Sequence, residues 1–266
     1  LAIDPGYATA WSNRGSTLSA MGRNREALEN FDKALAIDPG YATAWCNRGF
    51  ELGAIGRYEE ALACLARAQS LDPDDARSQW NEAPIRLVLG EFERGWAKYE
   101  YRWTNRFECP LRHQHVPPLV DLDAARGARV LVWHEQGYGD TIQFARYVPL
   151  LEKAGAEVVF EVQPELRELL GSLGARAEVI ATGRVAREAC DYQVPLLSLP
   201  RLFETDLSPM PAPVAGLFIA PAKTERWARA LPRTRRTRIG VASSGSRGHR
   251  NDANRSAPLE HFLPLR

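Results

Sequence analysis

An identical segment, LAIDPGYATAW, occurs at residues 1–11 and again at residues 35–45, an offset of 34 residues. A weaker third copy follows at the same offset, where Asp72, Pro73 and Ala76 match the second copy. A repeat of this length predicts a pair of helices that cannot bury its apolar face alone and therefore stacks on its neighbours. The N-terminal part of the chain is expected to fold as an α-solenoid.

Within each repeat, small residues stand where two helices would cross closely and large residues stand beside them. These positions are Trp11, Gly15, Leu18, Ala27, Phe31, Ala34 and Pro39, then Trp45, Gly49, Leu52, Ala61, Leu65, Ala68 and Pro73. Gly22, Gly56 and Gly90 are expected at the turns between the paired helices. In this pattern residues 1–106 resemble tetratricopeptide repeats.

The third repeat departs from the pattern and ends in GEFERGWAKYEYRW. Phe92, Trp96, Tyr99 and Trp103 recur there at helical spacing. An atypical terminal repeat rich in aromatic residues is expected to dock against the domain that follows. The alternative is that this stripe is only the core of the last helix.

Asn13, Asn47 and Asn81 hold one position of the three repeats, on the first helix of each. Stacking would place their carboxamides in a row on the concave surface. An amide both donates and accepts, so a row of amides can bind the backbone of an extended peptide. The row is similar to that of protein O-linked N-acetylglucosamine transferases, which implies a peptide or protein partner. The alternative is that these asparagines merely face water.

Composition excludes several classes of protein. The chain is 45% hydrophobic and 25% charged with a net charge of +1, which argues against disorder and against a general polyanion binder. No apolar run is long enough to span a membrane. Four scattered cysteines indicate a reducing compartment, so a cytoplasmic location is expected. Residues 223–250 are rich in arginine but have little aromatic interleaving, so no nucleic-acid partner is expected.

Residues 107–128 lack helical periodicity and form a proline-rich linker. Its His113 and His115 have no further ligand nearby, so no metal is expected. Beyond it, apolar runs alternate with helical stretches, which predicts a doubly wound parallel sheet over residues 129–237. The predicted strands are Arg129–His134, Glu157–Val162, Glu178–Ile180, Tyr192–Val194, Leu217–Ile219 and Arg238–Ala242, and the predicted helices are Thr141–Lys153, Pro164–Ser172 and Lys223–Leu231.

The loop after the first strand, residues 135–140, is the candidate ligand site of this sheet, because ligands bind beyond the carboxyl ends of parallel strands. Gly137 and Gly139 are expected to allow a tight turn and close approach of a ligand. A dinucleotide fingerprint is one interpretation, with Glu161 at the ribose, but Ile142 replaces its third glycine. A Walker loop is excluded, because no GK[ST] follows.

The string LVWHEQGYGDTIQFARY resembles bacterial tetratricopeptide proteins fused to a domain similar to heptosyltransferases. The likeness continues through residues 161–164 and 195–199 and resumes at HRNDANRS, residues 249–256. It implies a Rossmann-like lobe of a two-lobed, GT-B type glycosyltransferase, with residues 238–266 as the start of a second lobe. Such an enzyme needs no metal or cofactor, and its nucleotide sugar is a substrate.

The resemblance also implies roles for individual residues. Asp140 would be the general base that takes a proton from the acceptor hydroxyl. The same loop would hold the acceptor through Glu135, Gln136, Gly137 and Gly139. The side that binds the nucleotide sugar would include His249, Arg250, Asn251, Asp252 and Arg255, which would stabilise the leaving diphosphate.

Two departures qualify this interpretation. Residues 243–246 are Ser-Ser-Gly-Ser where the family has Trp and Asn, and the chain stops at Arg266 as the second lobe begins. The chain alone is therefore expected not to transfer sugar. The alternative function is a non-catalytic scaffold whose transferase-like domain is degenerate. Asp140 has an alternative role as well, as the cap of a capping box with Gln143.

Overall fold

The computed structural model describes residues 6–104, 111–183, 189–206, 217–219, 221–231, 241 and 256–265. The chain divides into two compact units, residues 1–218 and residues 219–266. The first unit contains both the repeats and a parallel sheet.

Three helical pairs make up the described part of the solenoid, as the repeat predicts. They are α1 (Ala8–Ala20) with α2 (Asn24–Ile37), α3 (Ala42–Ala54) with α4 (Tyr58–Leu71), and α5 (Ala76–Val88) with α6 (Phe92–Tyr99). Gly22, Gly56 and Gly90 lie between the helices of each pair with φ of 73°, 80° and 81°. Only glycine adopts this backbone readily, so the predicted turns are confirmed.

The close helix crossings are also confirmed. A Cβ atom added to Gly15 would lie 2.6 Å from the ring of Phe31, and one added to Gly49 would lie 2.8 Å from Leu65. Both distances are shorter than van der Waals contact. Glycine at these positions therefore lets the second helix of a repeat pack directly on the first.

Glu51 is the one acidic side chain of α3, and it is almost fully buried between the first two repeats. Ser19 of α1 donates a hydrogen bond to its carboxyl group. Burial raises the pKa of Glu51 from its ordinary value of 4.5. The neutral form is therefore favoured in the folded state, and its contribution to stability is lost as the pH rises through the raised pKa.

The variant Glu51→Gln is expected to remove this pH dependence. Its amide oxygen still accepts from Ser19, but it carries no charge to bury at any pH. Near pH 4 wild type and variant should unfold at the same urea concentration, whereas near pH 7.5 the variant should be the more stable. Equal urea midpoints at both pH values would contradict the buried-carboxylate account.

A parallel sheet of four strands follows the repeats. Its strands are β1 (Arg129–Trp133), β2 (Glu157–Val162), β3 (Glu178–Ala181) and β4 (Tyr192–Pro195), in the order β3-β2-β1-β4. Helices α7 (Tyr138–Phe144), α8 (Val148–Lys153), α9 (Arg167–Leu170) and α10 (Leu199–Leu202) connect and cover the strands. The chain runs outward from β1 in one direction and then returns to its other side, so a crevice is expected between β1 and β4 at their carboxyl ends.

Two of the predicted helices are interrupted. In place of one helix over Thr141–Lys153, α7 and α8 are separated by a 3₁₀ turn at Ala145–Tyr147. Pro149 lies in the first turn of α8, where its missing N–H costs no hydrogen bond, and this marks a new helix start. Similarly, the helix predicted over Pro164–Ser172 is a 3₁₀ turn at Pro164–Leu166 followed by α9.

The predicted strand at Leu217–Ile219 is wrong, because these residues have no regular structure. A short apolar run can suit several conformations, and periodicity alone does not separate them. The strand predicted at Arg238–Ala242 lies outside the described residues except for Val241.

The described part of the linker, residues 111–128, packs along the sheet. Pro118 pairs with Gln193 of β4, and the Leu119 N–H donates to the Gln193 carbonyl over 2.8 Å. Leu119 is buried. This segment therefore covers the outer edge of β4, which would otherwise leave its backbone groups unpaired.

The second unit contains helix α11 (Pro221–Ala230) and a 3₁₀ helix at Leu259–Leu265. The predicted helix at Lys223–Leu231 is thus confirmed with a shift of its bounds. Every residue of α11 is exposed, including Trp227.

Candidate functional site

The aromatic stripe of the third repeat contacts the sheet domain, as predicted. The Trp96 ring meets Phe144 of α7 edge-on with centroids 5.8 Å apart, and Trp103 lies 5.5 Å from Trp133 of β1. Aromatic pairs in this range add to the energy of burial. The repeats and the sheet therefore share an aromatic interface.

A buried ion pair lies at the centre of this interface. Arg102, just after α6, donates to both oxygens of Glu135 over 2.6 and 3.0 Å, and both side chains are 1% exposed. Arg102 also donates to Ser198 over 2.7 Å and to Glu100 over 2.9 Å. Its guanidinium stacks on Trp103, 4.2 Å from the ring centroid. The network joins the last repeat to the ends of β1 and β4.

Glu135 is consequently occupied within the protein. Besides Arg102, its carboxylate accepts the N–H of Leu197 over 3.0 Å. Burial raises the pKa of Glu135, while Arg102 opposes that rise. The acceptor contact implied for Glu135 by the resemblance would require this pair to open.

The Asp140 side chain lies beside the start of α7. The helix begins at Tyr138, so the predicted cap formed by Asp140 with Gln143 is wrong. Instead, Gly137 is the cap residue, and Asp140 Oδ2 accepts the Gly137 N–H over 3.0 Å from within the first helical turn. Its Oδ1 accepts no hydrogen bond in the described part of the chain. Asp140 therefore fixes the loop with one oxygen and keeps the other free.

The two glycines of this loop have backbone conformations that other residues also adopt. Neither Gly137 nor Gly139 has a positive φ. A Cβ on Gly139 would meet nothing within 4 Å, and one on Gly137 would lie 3.3 Å from Asp140. Gly137 therefore leaves room for the Asp140 carboxylate, whereas a side chain at residue 139 would meet no steric obstacle.

Gln136 connects the loop to the repeats. Its amide nitrogen donates to the Tyr99 hydroxyl over 2.6 Å, and Tyr99 packs 4.8 Å from the ring of Trp80 on α5. Burial raises the pKa of Tyr99, so its hydroxyl stays protonated. The loop that carries Asp140 is thus in contact, through two side chains, with the helix that carries Asn81.

Glu161 is engaged in a polar cluster at the carboxyl ends of β1 and β2. Arg112 donates to its Oε1 over 2.6 Å, and His113 Nε2 lies 3.2 Å from its Oε2. The side chain is 3% exposed. A buried carboxylate already paired with Arg112 is poorly placed for a ribose, so the dinucleotide interpretation loses its acidic contact.

His134, directly after β1, belongs to the same cluster. The Thr182 hydroxyl donates to the Val162 carbonyl over 3.1 Å, so it accepts from His134 Nε2 over 2.6 Å. Burial lowers the pKa of His134, and Arg112 lowers it further. The imidazole is therefore neutral, with its proton on Nε2.

The three asparagines lie on α1, α3 and α5, which follow one another along the solenoid. Asn47 donates to Ser16 of α1 over 3.3 Å, and Asn81 donates to Cys46 of α3 over 3.4 Å. The first contact is long for a hydrogen bond between nitrogen and oxygen, and the second has sulfur, a weak acceptor. The side-chain oxygens of all three asparagines accept no hydrogen bond from other described residues. The amides are therefore available to a ligand at low cost.

The other candidate residues lie outside the described part of the chain: His249, Arg250, Asn251, Asp252 and Arg255. Among the described residues, no group of three or more His, Cys, Asp or Glu side chains is placed to hold a metal ion. No helix in the described ranges is long and apolar enough to cross a membrane.

Comparison with known proteins identifies the first part of the chain. Residues 6–74 match the tetratricopeptide repeat family. These residues are tetratricopeptide repeats. Such repeats imply a role in protein–protein interaction. Over 113 residues the chain is 31% identical to Protein FlbA of Caulobacter vibrioides, a match that spans 41% of this chain and 19% of FlbA.

Two solved structures are similar to the repeats. One is the first TPR of Spaghetti (RPAP3) bound to the HSP90 peptide SRMEEVD, at 19% identity and a TM-score of 0.35, covering 37% of this chain and 79% of that one. The other is the crystal structure of MamA protein, at 23% identity and a TM-score of 0.35, covering 38% of this chain and 55% of that one.

Sequence reasoning identified neither Arg102 as the partner of Glu135 nor Arg112 as the partner of Glu161. In the sequence, Arg102 stands between Tyr101 and Trp103. An arginine flanked by aromatic residues at the end of a repeat was the available signal, because guanidinium groups stack on aromatic rings.

Proposed function

We propose that the concave face of the repeats binds an extended peptide and presents it to the loop that ends in Asp140. The observation that carries this proposal is the contact chain from Trp80 through Tyr99 to Gln136, with separations of 4.8 Å and 2.6 Å. It connects the helix of Asn81 with that loop.

The asparagines suit a peptide of any sequence. Each offers an amide donor and an oxygen that accepts no hydrogen bond from the described residues, which match the C=O and N–H groups of an extended backbone. Successive repeats stack at a regular spacing along the solenoid, so their amides would engage the peptide at regular intervals. Sequence preference would then come from side chains that flank the row, including the exposed Phe50 of α3.

We further propose that the sheet is the acceptor lobe of a GT-B type glycosyltransferase that uses a nucleotide sugar and no metal. In support, the sheet is parallel and its order changes direction at β1. Beyond the carboxyl end of that strand, Asp140 uses Oδ2 to accept the Gly137 N–H, and its Oδ1 accepts no hydrogen bond from the described residues. In this function Asp140 takes the proton of the acceptor hydroxyl as that oxygen attacks the sugar. The acceptor hydroxyl would be carried by the bound peptide or by a glycan on it.

The second candidate function is a non-catalytic scaffold. The hydrogen bonds of Glu135 favour this function. Its carboxylate accepts from Arg102 and from the Leu197 N–H, rather than being directed to a substrate. In a scaffold the buried pair serves only to hold the repeats in a fixed orientation on the sheet. Peptide binding is common to both functions, and turnover separates them.

Replacing Asn13, Asn47 and Asn81 together with alanine is expected to weaken peptide binding by about 1–3 kcal/mol, because hydrogen bonds to the peptide backbone are lost. The probe is the tightest binder from an array of ten-residue peptides, titrated by calorimetry. Asn24→Ala, on the second helix of the first repeat, is the matched control and should bind as wild type does. Unchanged affinity in the triple variant would eliminate the asparagine row as the binding surface.

A further inference from the structure

A cavity of about 390 Å³ lies between the linker, the turn that follows α6 and the carboxyl end of β4. Its volume is at the small end of the range for ligand sites in proteins. The described residues that line it include none of the three asparagines and no residue of the loop 135–140. The cavity is therefore separate from the proposed peptide and acceptor sites.

The cavity lies on the face of the sheet that α8 and α9 do not cover. Successive residues of a strand point to opposite faces. Val194 of β4 packs in the large core with residues of those helices, so Gln193 points to the other face, beside Leu131 of β1. There the sheet is covered by Trp103 and by the linker, which leave the cavity between them.

Gln193 supplies a hydrogen-bond donor to this cavity. The residue is 4% exposed, and its Oε1 accepts the indole N–H of Trp133 over 2.6 Å, which fixes the orientation of the amide. Its Nε2 donates to no other described residue and, unlike the fully buried Oε1 of Gln163, has accessible surface. Because Gln193 lines the cavity, a ligand there can accept from an N–H that is already held in place.

The unpaired charge at the cavity is positive. Two charged residues are among its described lining, Glu100 and Arg201. The Glu100 carboxylate already accepts from Arg102 over 2.9 Å and from the Ser198 hydroxyl over 3.1 Å. Arg201, on α10, is exposed and forms no ion pair with any other described residue. An anionic ligand therefore finds a free cation here, whereas a cationic ligand finds no free carboxylate.

We propose that this cavity binds a small monocarboxylate with an apolar body, such as an aryl-substituted alkanoate. Its carboxylate accepts from Gln193 and pairs with Arg201, since two carboxylate oxygens offer enough lone pairs for both. Its hydrocarbon part displaces water from apolar walls that include Leu119, Pro195 and Leu202. An uncharged hydrocarbon would leave the Gln193 N–H without an acceptor.

The test follows the side-chain amide resonances of Gln193 in ¹⁵N-labelled protein, assigned with Gln193→Glu. The probe is 3-phenylpropionate, compared with 3-phenylpropanamide, which lacks the charge, and with acetate, which lacks the apolar body. We expect 3-phenylpropionate to move these resonances to saturation with a Kd on the order of 1 mM, as is typical for a ligand of this size. The amide should bind roughly fivefold more weakly, and acetate should leave the resonances in place.

Arg201→Gln separates binding from folding, because Arg201 is exposed and has no ion pair with the described residues to lose. It should weaken binding of 3-phenylpropionate roughly fivefold, as expected for the loss of about one exposed ion pair, and leave binding of 3-phenylpropanamide unchanged. Arg25→Gln, at an exposed arginine of α2, is the matched control and should bind both probes as wild type does.

Gln193→Glu tests the second contact. Its carboxyl group can still accept from Trp133, but its oxygens replace the N–H that the ligand requires, so binding of 3-phenylpropionate should fall at least as much as in Arg201→Gln. The triple asparagine variant and Asp140→Asn should bind the probe normally, so failure of this site and failure of the proposed function are distinguishable. Unmoved Gln193 resonances, equal affinity for 3-phenylpropanamide, or wild-type affinity in Arg201→Gln would overturn the assignment.

Discussion

Arg102→Ala is expected to lower the free energy of unfolding of the first unit by about 3–5 kcal/mol. The replacement leaves Glu135 buried with a charge and no cation, since the Glu135 side chain is 1% exposed. It also removes the donors to Ser198 and Glu100 and the stacking on Trp103. Urea unfolding, followed by the near-ultraviolet circular dichroism of the interface tryptophans, measures the effect.

Glu135→Gln should be less harmful than Arg102→Ala. The glutamine oxygen can still accept from Leu197, and Arg102 keeps Glu100 as a charged partner 2.9 Å away. The matched control is Arg23→Ala, which breaks the exposed Arg23–Glu26 pair and should change stability little. If Arg102→Ala were as stable as wild type, or less affected than Glu135→Gln, the buried pair would not hold the interface together.

The Arg102–Glu135 pair also matters for function, because it fixes the loop that carries Asp140. Glu135 is five residues before Asp140, and Gln136 between them binds Tyr99. A shift of the repeats relative to the sheet would therefore displace both the asparagine row and the loop. Positioning errors of about 1 Å are enough to reduce catalysis substantially.

The repeats were predictable because their signal is local. Two identical copies fix the period. Gly15 and Gly49 each stand within the same helical pair as the side chain they contact, Phe31 and Leu65 respectively. Strands β1 and β2 were predictable for the same reason, since each is a continuous apolar run that a buried parallel strand requires.

The contacts that build the candidate site were not predictable, because their partners are distant in the chain. Arg102 meets Glu135 across 33 residues and Ser198 across 96. Periodicity reports which face of a helix is buried but not what the opposing surface carries. The polar contacts of this interface depend on tertiary structure, because they form between the last repeat and the ends of β1 and β4.

The first residue of α7 was predicted incorrectly, although the type of helix start was recognised. Asp140 and Gln143 have the spacing of a capping box, yet the helix begins three residues earlier than predicted, at Tyr138, and Asp140 occupies the inner position of the box. The carboxylate still satisfies a backbone N–H, that of Gly137. Sequence reasoning recognised the chemistry of the helix start and misplaced its first residue, which is the least certain feature of any helix.

Asp140→Asn is expected to leave the fold intact and to reduce sugar transfer by roughly 10²–10⁴-fold in the protein that carries both lobes of the proposed transferase. The asparagine oxygen can accept the Gly137 N–H as Asp140 Oδ2 does, so the helix start is retained. Stability should fall by no more than about 0.3–1 kcal/mol, the loss of a charge near a helix start. An amide cannot take a proton from the acceptor hydroxyl, and this accounts for the loss of rate.

Asp121→Asn is the matched control, because Asp121 also accepts a backbone N–H through its carboxylate, that of Asp123 over 2.8 Å. Asp121 is an exposed residue of the linker, so Asp121→Asn should transfer sugar at the wild-type rate. Transfer from a panel of nucleoside diphosphate sugars is measured beside circular dichroism of each variant. If Asp140→Asn transfers sugar at the wild-type rate, Asp140 serves only to stabilise the start of α7. If the wild-type protein shows no turnover with any donor but still binds peptide, the scaffold is favoured. Both functions share the asparagine row, and only the transferase requires Asp140 Oδ1 as a base.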